Sequence, residues 1–290
     1  MHASMTNAPV APNINMAMSD EEFAHTAALI RDRFGIHLGP QKRAMLSGRL
    51  YKLVRESGAR SFSEYFRAHL RDPSDALLLS LADKVSTNHT YFQREPEHFD
   101  HYVRTALPEV TERLQRQGTR DLRMWCAASS SGEEPYTLAM LQREFFGPRW
   151  AEWQAGLLAT DISADVLQMA AEARYATEGV RRLPAHLVER YFQHHPDGTS
   201  TVVPAVRSAV TFRRFNLMRP EFPFRAPFQI IFIRNVMIYF EEDTKRMLVD
   251  RLARATAPGG WVYIGQAETL HGLGSPFRSV APGVYQKASP

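Results

Sequence analysis

Cysteine is almost absent from this chain of 290 residues: Cys126 is the single one, and this excludes a disulfide framework. It lies within an apolar segment, so we expect a buried thiol in a reducing, cytoplasmic environment. Long apolar runs are absent too, because the longest, residues 228–240, is interrupted by Arg234 and Asn235 and is too short to cross a bilayer. No basic segment precedes an apolar run near the first residue, so we expect neither a signal peptide nor membrane insertion.

A large excess of one charge is also missing, since the formal net charge is only +4. The contents of 44% hydrophobic and 23% charged residues are those of an ordinary globular protein, and the length suits one large or two modest domains. The basic residues are nevertheless concentrated, with ten Lys and Arg against three Asp and Glu between Arg31 and Arg71. Either these side chains form a solvated helix face, or they attract an acidic partner such as a nucleic acid, an anionic membrane or an acidic protein.

The first 85 residues have the pattern of a leader followed by a helical domain. Residues 1–18 show no periodicity, and we expect them to be disordered. Ser19 and Glu22 have the spacing of a capping box, which predicts that the helical domain, residues 19–85, starts there. Its helices are predicted at residues 20–34, 41–56, 61 onwards and 73–85. In the second helix, three basic residues point away from the apolar side: Arg49, Lys52 and Arg55.

Residues 86–290 are predicted to form a second domain, in which a helix over residues 95–117 is followed by alternating strands and helices. This alternation is typical of a doubly wound α/β fold. The strands are predicted at residues 122–127, 155–161, 210–215, 228–233, 261–266 and 284–287. At about residues 192–210, Pro, Asp and Gly alternate with short β-branched runs, and we predict a small β insertion there.

The stretch from Met124 to Phe145 carries the most information about function. It predicts a buried strand that ends in a loop of small residues, 128–132, before a helix begins at Glu134. Such a loop lets a ligand lie against the backbone N–H groups of the helix amino terminus. The next strand ends at Asp161, whose carboxylate can accept hydrogen bonds from both hydroxyls of a ribose. Together these features predict a nucleoside site at the carboxyl ends of the strands.

The loop departs from the glycine-rich fingerprint of dinucleotide sites. Gly132 is its single glycine, and Glu133 and Glu134 stand where a pyrophosphate would lie. Carboxylates repel a phosphate but attract a cation. S-adenosylmethionine, a nucleoside with an ammonium and a sulfonium but no phosphate, fits this pattern. The sequence leaves open which of the two glutamates would contact the ammonium.

Further polar residues follow other predicted strands, where ligands bind in open α/β sheets. The apolar run 228–233 is followed by Arg234, Asn235 and Tyr239, and the strand at 210–215 by Asn216 and Leu217. Upstream of the first strand stand Asn88, Thr90 and Arg94, which by themselves are typical of a domain linker. No metal site is predicted, because further ligands at defined spacing are missing around the nearby histidines His89, His98 and His101.

Taken in order, the motifs are TNHTYFQREPEHF, WCAASSSGEEPYTLA, ATDIS, FNL and RNVMIYF, followed by PGG and GQAE. This series closely resembles the chemotaxis receptor methyltransferases, the CheR family, from about Ser19 to Gln286. The resemblance implies a small helical domain, an α/β methyltransferase domain with a β insertion, and S-adenosylmethionine as methyl donor. It also implies an enzyme that converts glutamate side chains of chemoreceptors to methyl esters and releases S-adenosylhomocysteine.

The resemblance assigns roles to residues that match the motifs of the family. Cofactor contacts are implied for Asn88, Thr90, Arg94, Glu134, Asp161, Asn216, Leu217, Arg234 and Asn235. Tyr239 matches a tyrosine near the transferred methyl group. We expect Arg94 to orient the incoming carboxylate and Tyr239 to shape the methyl-transfer channel, and these two are the candidate catalytic residues.

The resemblance also implies a binding partner for the basic helix. Chemoreceptor methylation regions are acidic helical bundles, so the basic face with Arg49, Lys52 and Arg55 is expected to dock on them. The loop at residues 193–202 looks shorter than in members that bind a receptor tail by adding a strand, so we expect no dependence on a C-terminal tethering peptide. A monomer recruited to membrane-embedded receptor arrays is expected. The alternatives are a methyltransferase with another protein target, and a non-catalytic cofactor-binding regulator that holds nucleic acid on its basic helices.

Overall fold

The computed structural model describes residues 14–288 and divides the chain into two compact units, Met1–Val85 and Ser86–Pro290. Most of the expected disordered leader, residues 1–13, lies outside the described residues. Residues 14–18 are ordered instead, because the side chains of Ile14 and Met18 are buried. The backbone of Asn15 also donates to Arg60 O at 3.2 Å and accepts from Phe62 N at 2.8 Å.

The first unit is helical, as its apolar spacing predicted. The capping box is confirmed: Glu22 N donates to Ser19 Oγ at 3.1 Å, and Ser19 N donates to Glu22 Oε2 at 2.9 Å. The first helix then ends at Gly35, whose φ of 75° is the left-handed conformation that glycine adopts readily. The helices are α1 (Asp20–Phe34), α2 (Arg43–Glu56, after a 3₁₀ turn at Pro40–Lys42), α3 (Phe62–Tyr65, continued as a π-helical turn to Leu70) and α4 (Asp75–Val85).

Helix α2 separates apolar from basic side chains along its length. Leu46, Leu50 and Val54 are fully buried. Lys52 and Arg55 on its other side are exposed. Arg49 behaves differently, because it is half-buried and its Nη1 donates to Val85 O at 2.5 Å. Its guanidinium therefore satisfies a carbonyl at the end of α4, a favourable place for a cation.

The second unit begins with a long helical stretch and continues as the α/β alternation. Its helices are α5 (Pro96–His101), which passes through a π-helical turn at Tyr102–Ala106 into α6 (Leu107–Arg116), then α7 (Glu133–Phe146), α8 (Ala164–Glu172), α9 (Thr177–Val180), α10 (Ala185–Tyr191), α11 (Pro204–Arg207) and α12 (Glu242–Ala255). Its strands are β1 (Met124–Ala127), β2 (Leu157–Asp161), β3 (Arg174–Ala176), β4 (Phe192–His194), β5 (Thr199–Val202), β6 (Val210–Arg214), β7 (Phe228–Phe232), β8 (Thr256–Tyr263), β9 (Phe277–Ala281) and β10 (Val284–Lys287).

Seven strands form one sheet in the order β6-β2-β1-β7-β8-β10-β9. The strands β6, β2, β1, β7 and β8 pair in parallel, whereas β10 runs antiparallel to both of its neighbours. Strand β1 is buried along its whole length, as expected for a central strand covered on both faces. From β1 the strand order proceeds outward in one direction through β2 and β6 and in the other through β7 and β8. This reversal makes the gap between β1 and β7 the topological switch point.

The β insertion is a three-stranded antiparallel sheet in the order β3-β5-β4. Its predicted start, at about residue 192, is wrong, because β3 lies upstream of it. Helix α8 ends at Glu172, because Ala173 takes the left-handed conformation (φ 54°), and Tyr175 pairs with Ser200 in the insertion. At the other end, Val210 begins β6 of the main sheet. A three-residue strand with a distant pairing partner leaves no local period in the sequence to predict it.

Candidate active site

Strands β2, β1 and β7 are neighbours, so the segments that follow them lie side by side at one edge of the sheet. These segments contain the loop 128–132, Asp161, Arg234 and Asn235. In open parallel sheets, ligands bind in the crevice outside the carboxyl ends of the strands at the switch point. The structure therefore brings together residues that the sequence placed after three separate strands.

The loop after β1 is shaped by its backbone. Ala128 and Ser130 have positive φ values of 59° and 49°, and Gly132 follows with 99° before α7 begins. Ser130 N donates to Asp161 Oδ2 at 2.9 Å, and Ser163 N donates to the other carboxylate oxygen at 3.0 Å. The Asp161 carboxylate is thus oriented by two backbone groups.

Backbone strain is concentrated around this crevice. A left-handed conformation costs about 1 kcal/mol or more in a residue other than glycine, and such residues are enriched at functional sites. In the described residues, six non-glycine residues have positive φ, and five of them lie in the loop after β1, the turn after β7 or the segment before α5. These five are Gln93, Glu95, Ala128, Ser130 and Asn235.

Arg234 lies at the centre of a buried ionic network. Its side chain is 2% exposed, and its Nη1 donates to Glu134 Oε2 at 2.6 Å. Its Nη2 donates to Glu95 Oε2 at 3.0 Å and also to the carbonyl of Arg94. The guanidinium therefore joins the turn after β7, the start of α7 and the segment before α5. The Arg234 guanidinium thus donates its hydrogen bonds to acceptors of the protein itself.

The contacts of the network shift the pKa values of its neighbouring groups. Burial disfavours the ionised form of Glu95, but hydrogen bonds from Asn235 and Arg234 and the charge of Arg234 outweigh it and lower the pKa of Glu95. Burial raises the pKa of the Cys126 thiol well above its usual range, and the adjacent Glu134 carboxylate adds to this. The protonated thiol donates to Glu134 Oε1 at 3.1 Å. Cys126 is buried, as its apolar strand predicted.

The two glutamates at the start of α7 have different surroundings. Glu134 contacts Cys126 and Arg234 at the switch point, as described above. Glu133 accepts from Ser131 Oγ at 2.7 Å, and burial raises the pKa of Glu133. The sequence left open which of the two glutamates would contact the ammonium. Glu134 is the better candidate, because it is the one that takes part in the ionic network of Arg234.

Glu268 is a functional candidate that sequence reasoning missed. Its Oε2 accepts from Asn235 N at 2.9 Å and from Gly265 N at 2.5 Å, and its Oε1 accepts from Ile238 N at 3.2 Å. Burial raises the pKa of Glu268, although backbone donors favour its charged form. This carboxylate holds the turn after β7 against the turn after β8. Its signal in the sequence is the motif GQAE, to whose glutamate the resemblance assigns no role.

The remaining predicted residues of the second unit lie in the segment 88–95, in the turn after β7 and after β6. Ser130 Oγ donates to Asn88 O at 3.1 Å, which attaches the segment 88–95 to the loop after β1. Asn235 Nδ2 donates to Glu95 Oε1 at 3.0 Å, and Arg94 Nη1 donates to His89 O at 2.7 Å. Half-exposed positions are occupied by Thr90, by Tyr239 in the 3₁₀ turn after β7, and by Asn216 and Leu217 after β6, on the far side of β2. The basic residues Arg49, Lys52 and Arg55 belong to the first unit.

Two of the three nearby histidines, His98 and His101, contact residues close to the end of the chain's main sheet. His98 Nε2 lies 3.0 Å from Pro282 O, and His101 Nδ1 lies 2.9 Å from Tyr263 Oη. Burial lowers the pKa of both rings. Between residues 14 and 288, no group of three or more His, Cys, Asp or Glu side chains is arranged to hold a metal ion. Over the same part of the chain, no helix combines the length and apolarity needed to cross a membrane.

The donor set of the crevice fits a cationic nucleoside. Three carboxylates, those of Glu95, Glu134 and Asp161, lie at this edge of the sheet, and such groups attract an ammonium and repel a phosphate. The loop 128–132 consists of small residues, and all of them except Ala128 are buried. Ser129 in this loop is 2% exposed, and its buried hydroxyl has no hydrogen-bond partner within residues 14–288. A buried polar atom without a partner is costly unless a ligand satisfies it.

Comparison with known proteins agrees with this site. Residues 88–285 match the model of the CheR methyltransferase SAM-binding domain, and residues 21–85 match that of the CheR methyltransferase all-alpha domain. The chain belongs to the CheR methyltransferase family. It is 34% identical over 275 residues to a chemotaxis protein methyltransferase of Borreliella burgdorferi, covering 95% of this chain and 97% of the relative.

Other relatives span the same length. Chemotaxis protein methyltransferase 1 of Pseudomonas aeruginosa is 32% identical over 94% of this chain and 100% of its own. The chemotaxis protein methyltransferase of Escherichia coli K12 is 30% identical over 93% of this chain and 92% of its own. This CheR-family chain is thus an S-adenosylmethionine-dependent methyltransferase of chemotaxis, and its two units coincide with the two family domains. The predicted family, fold class and methyl donor are confirmed.

Proposed function

We propose that this protein transfers the methyl group of S-adenosylmethionine to glutamate side chains of chemoreceptors, giving glutamate methyl esters and S-adenosylhomocysteine. The observation that carries the proposal is the carboxylate-lined crevice between β1 and β7, which falls within the residues that match the SAM-binding domain. Methyl transfer to receptors is the step that chemotactic adaptation requires. The proposal therefore includes a cytoplasmic location of the enzyme and its recruitment to receptor arrays.

The chemistry asks for positioning more than for proton transfer. A glutamate with a pKa of about 4.3 is ionised at neutral pH and needs no general base. One carboxylate oxygen forms a bond to the methyl carbon, the carbon–sulfur bond breaks, and its electron pair stays on sulfur to give a neutral thioether. Holding the two reactants in line can supply several kcal/mol of the barrier.

The residues of the crevice would divide the task of binding the donor. Asp161, oriented by Ser130 N and Ser163 N, would accept the ribose hydroxyls. Glu134 would attract the ammonium, and Arg234 would hold Glu134 and Glu95 in place without contacting the donor through its guanidinium. Further contacts are proposed for Asn88, Thr90, Asn216, Leu217 and Asn235.

Two residues are proposed to act at the methyl group. Arg94 would orient the incoming carboxylate, since its half-exposed guanidinium makes a single described hydrogen bond, to a backbone carbonyl. Tyr239, in the turn that Glu268 braces, would shape the transfer channel. Arg94→Ala should lower methyl transfer to receptor at unchanged folding. Normal turnover together with normal affinity for donor and receptor would overturn the role of Arg94.

Receptor docking is proposed for the basic side of α2. Lys52 and Arg55 are exposed there and would meet the acidic helices of the methylation region, with Arg49 at the edge of the same surface. We also propose that the protein is a monomer. We further propose that it works without a C-terminal tethering peptide, because β4 and β5 are joined by a short turn. Removing the receptor tail should then leave the affinity unchanged.

The function is tested by incubating the protein with radiolabelled methyl donor and receptor-containing membranes. Carboxyl methyl esters release volatile methanol in alkali, so label that is lost as a volatile product from the receptor band supports the proposal. Alkali-stable label, or label on another protein, would contradict it. Asp161→Asn, which lacks the ribose-binding charge, is the matched control and should form less ester than the wild type at a low concentration of the donor.

A further inference from the structure

The ring of Tyr91 has two guanidinium groups against it. The Cζ of Arg182 lies 4.7 Å from the ring centroid, and the Cζ of Arg94 lies 5.9 Å from it. Both distances are within the range of cation–π attraction, which offsets part of the repulsion between two like charges. Arg94 belongs to the segment before α5, whereas Arg182 follows α9 in the β insertion. The Tyr91 ring is thus a common neighbour of two cations that are distant in sequence.

Neither guanidinium is paired with a carboxylate in the described residues, although other arginines of the insertion are. Arg181, the neighbour of Arg182, lies 3.4 Å from Glu178, and Arg174 pairs with Asp197. Arg182 is exposed and Arg94 is half-exposed. A pair of unneutralised cations beside a flat ring is a suitable receptor for a carboxylate, because each guanidinium can donate two parallel hydrogen bonds to it.

The pair is anchored next to the crevice. Phe92, adjacent to Tyr91, packs edge-on against Tyr175 and Phe192 of the insertion, with ring centroids 5.0 and 5.7 Å apart. On the other side, the carbonyl of Arg94 accepts from Arg234 in the ionic network. The segment 88–95 therefore lies between the insertion and the crevice, and the two cations stand at the boundary of both.

We propose that Arg182 is a substrate-binding residue that, with Arg94 and the Tyr91 ring, receives a carboxylate of the acidic receptor segment being methylated. This inference rests on the proposed function, because it needs an acidic protein as the methyl acceptor. Arg182 supplies charge for the substrate and has no part in binding the methyl donor. The β insertion thereby contributes to substrate choice through a residue that follows α9, apart from any binding along its strands.

The test compares Arg182→Gln with Arg181→Gln, which removes the same charge one residue away from the ring. Steady-state methylation of receptor membranes should show a KM for receptor about three- to tenfold higher in Arg182→Gln, with kcat and the Kd for S-adenosylmethionine unchanged. Arg181→Gln should keep the KM of the wild type. Tyr91→Phe should also keep it, whereas Tyr91→Leu should raise it because the ring that holds both cations is lost.

The outcomes separate this proposal from the proposed function. If Arg182→Gln and Arg181→Gln have the same KM on receptors that the wild type methylates, the role of Arg182 is overturned while the proposed function stands. If the wild type forms no alkali-labile ester on receptors, both are overturned. A rise in the Kd for S-adenosylmethionine in Arg182→Gln would place the residue at the donor instead and would also overturn the proposal. Thermal unfolding of each variant confirms that it is folded.

Discussion

Arg234 Nη1 and Glu134 Oε2 lie 2.6 Å apart, although 100 residues separate the two in sequence. The contact joins the end of β7 to the start of α7 across the switch point of the sheet. Both side chains are largely buried, and Glu95 completes the network from a third segment. The crevice that would bind the donor is therefore assembled by one guanidinium and two carboxylates before any ligand enters.

Removing the central cation should destabilise the protein strongly. Arg234→Met leaves Glu95 and Glu134 buried without their partner, and the expected loss of unfolding free energy is about 3–5 kcal/mol. Urea unfolding of the second unit measures it. Arg246→Met is the matched control, since Arg246 forms a half-exposed pair with Glu242 on α12, and such pairs contribute about 0–1 kcal/mol. Equal losses in the two variants would contradict a structural role for the network.

The lowered pKa of Glu95 predicts a dependence of stability on pH. The unfolded state takes up this proton at about pH 4.3, whereas the folded state does so only at lower pH. The stabilisation is therefore complete above pH 4.3 and is lost as the pH falls through the lower folded pKa. Urea unfolding midpoints of the wild type should fall more steeply than those of Glu95→Gln between pH 5 and 3. Parallel curves would show that Glu95 does not couple protonation to folding.

Glu268→Gln should impair binding of the donor, although the Glu268 side chain is not proposed to contact the donor. The substitution replaces one acceptor oxygen by a donor amide, while Asn235 N, Gly265 N and Ile238 N still need acceptors. The turn after β7 would lose its brace, and the Kd for S-adenosylmethionine should rise about tenfold. Isothermal titration calorimetry measures this. An unchanged Kd would mean that the turn keeps its shape without the carboxylate.

Asp161→Asn tests the ribose contact directly. A hydrogen bond to a charged group contributes about 1.5–3 kcal/mol, so the Kd for both S-adenosylmethionine and S-adenosylhomocysteine should rise about 10- to 100-fold. Asp165→Asn, on the exposed side of α8, should bind as the wild type does. If ATP or NAD bound the crevice of the wild type more tightly than the two methyl-cycle nucleosides, the assignment of the site would be wrong.

The basic side of α2 gives a prediction on receptor binding. Lys52→Gln together with Arg55→Gln should weaken receptor affinity, and raising the salt should reduce the difference from the wild type, because screening removes the same attraction. The control is Arg60→Gln together with Arg71→Gln, at two exposed positions of the same unit, which has the same net charge as the first double variant. It should bind the receptor more tightly than the first double variant does. Cosedimentation with receptor membranes at two salt concentrations measures both.

Several features were predictable because their signals are local. The capping box of Ser19 and Glu22 needs only a three-residue spacing, and the strand predicted at residues 122–127 contains β1, Met124–Ala127. The loop of small residues and the carboxylate at the end of β2 were predicted in the same way. Each depends on the periodicity and backbone preferences of neighbouring residues, which the sequence carries directly.

By itself, the sequence determined the helical first unit, the α/β second unit, the crevice residues after each strand and the membership of the family. Tertiary structure alone decided which of those residues meet: that Arg234 is bound by two glutamates, that Glu268 braces the turn after β7, that β3 opens the insertion at Arg174, and that Arg182 reaches Tyr91. These contacts join residues far apart in the chain. Their energy depends on burial and geometry in the folded molecule, and no local spacing records either.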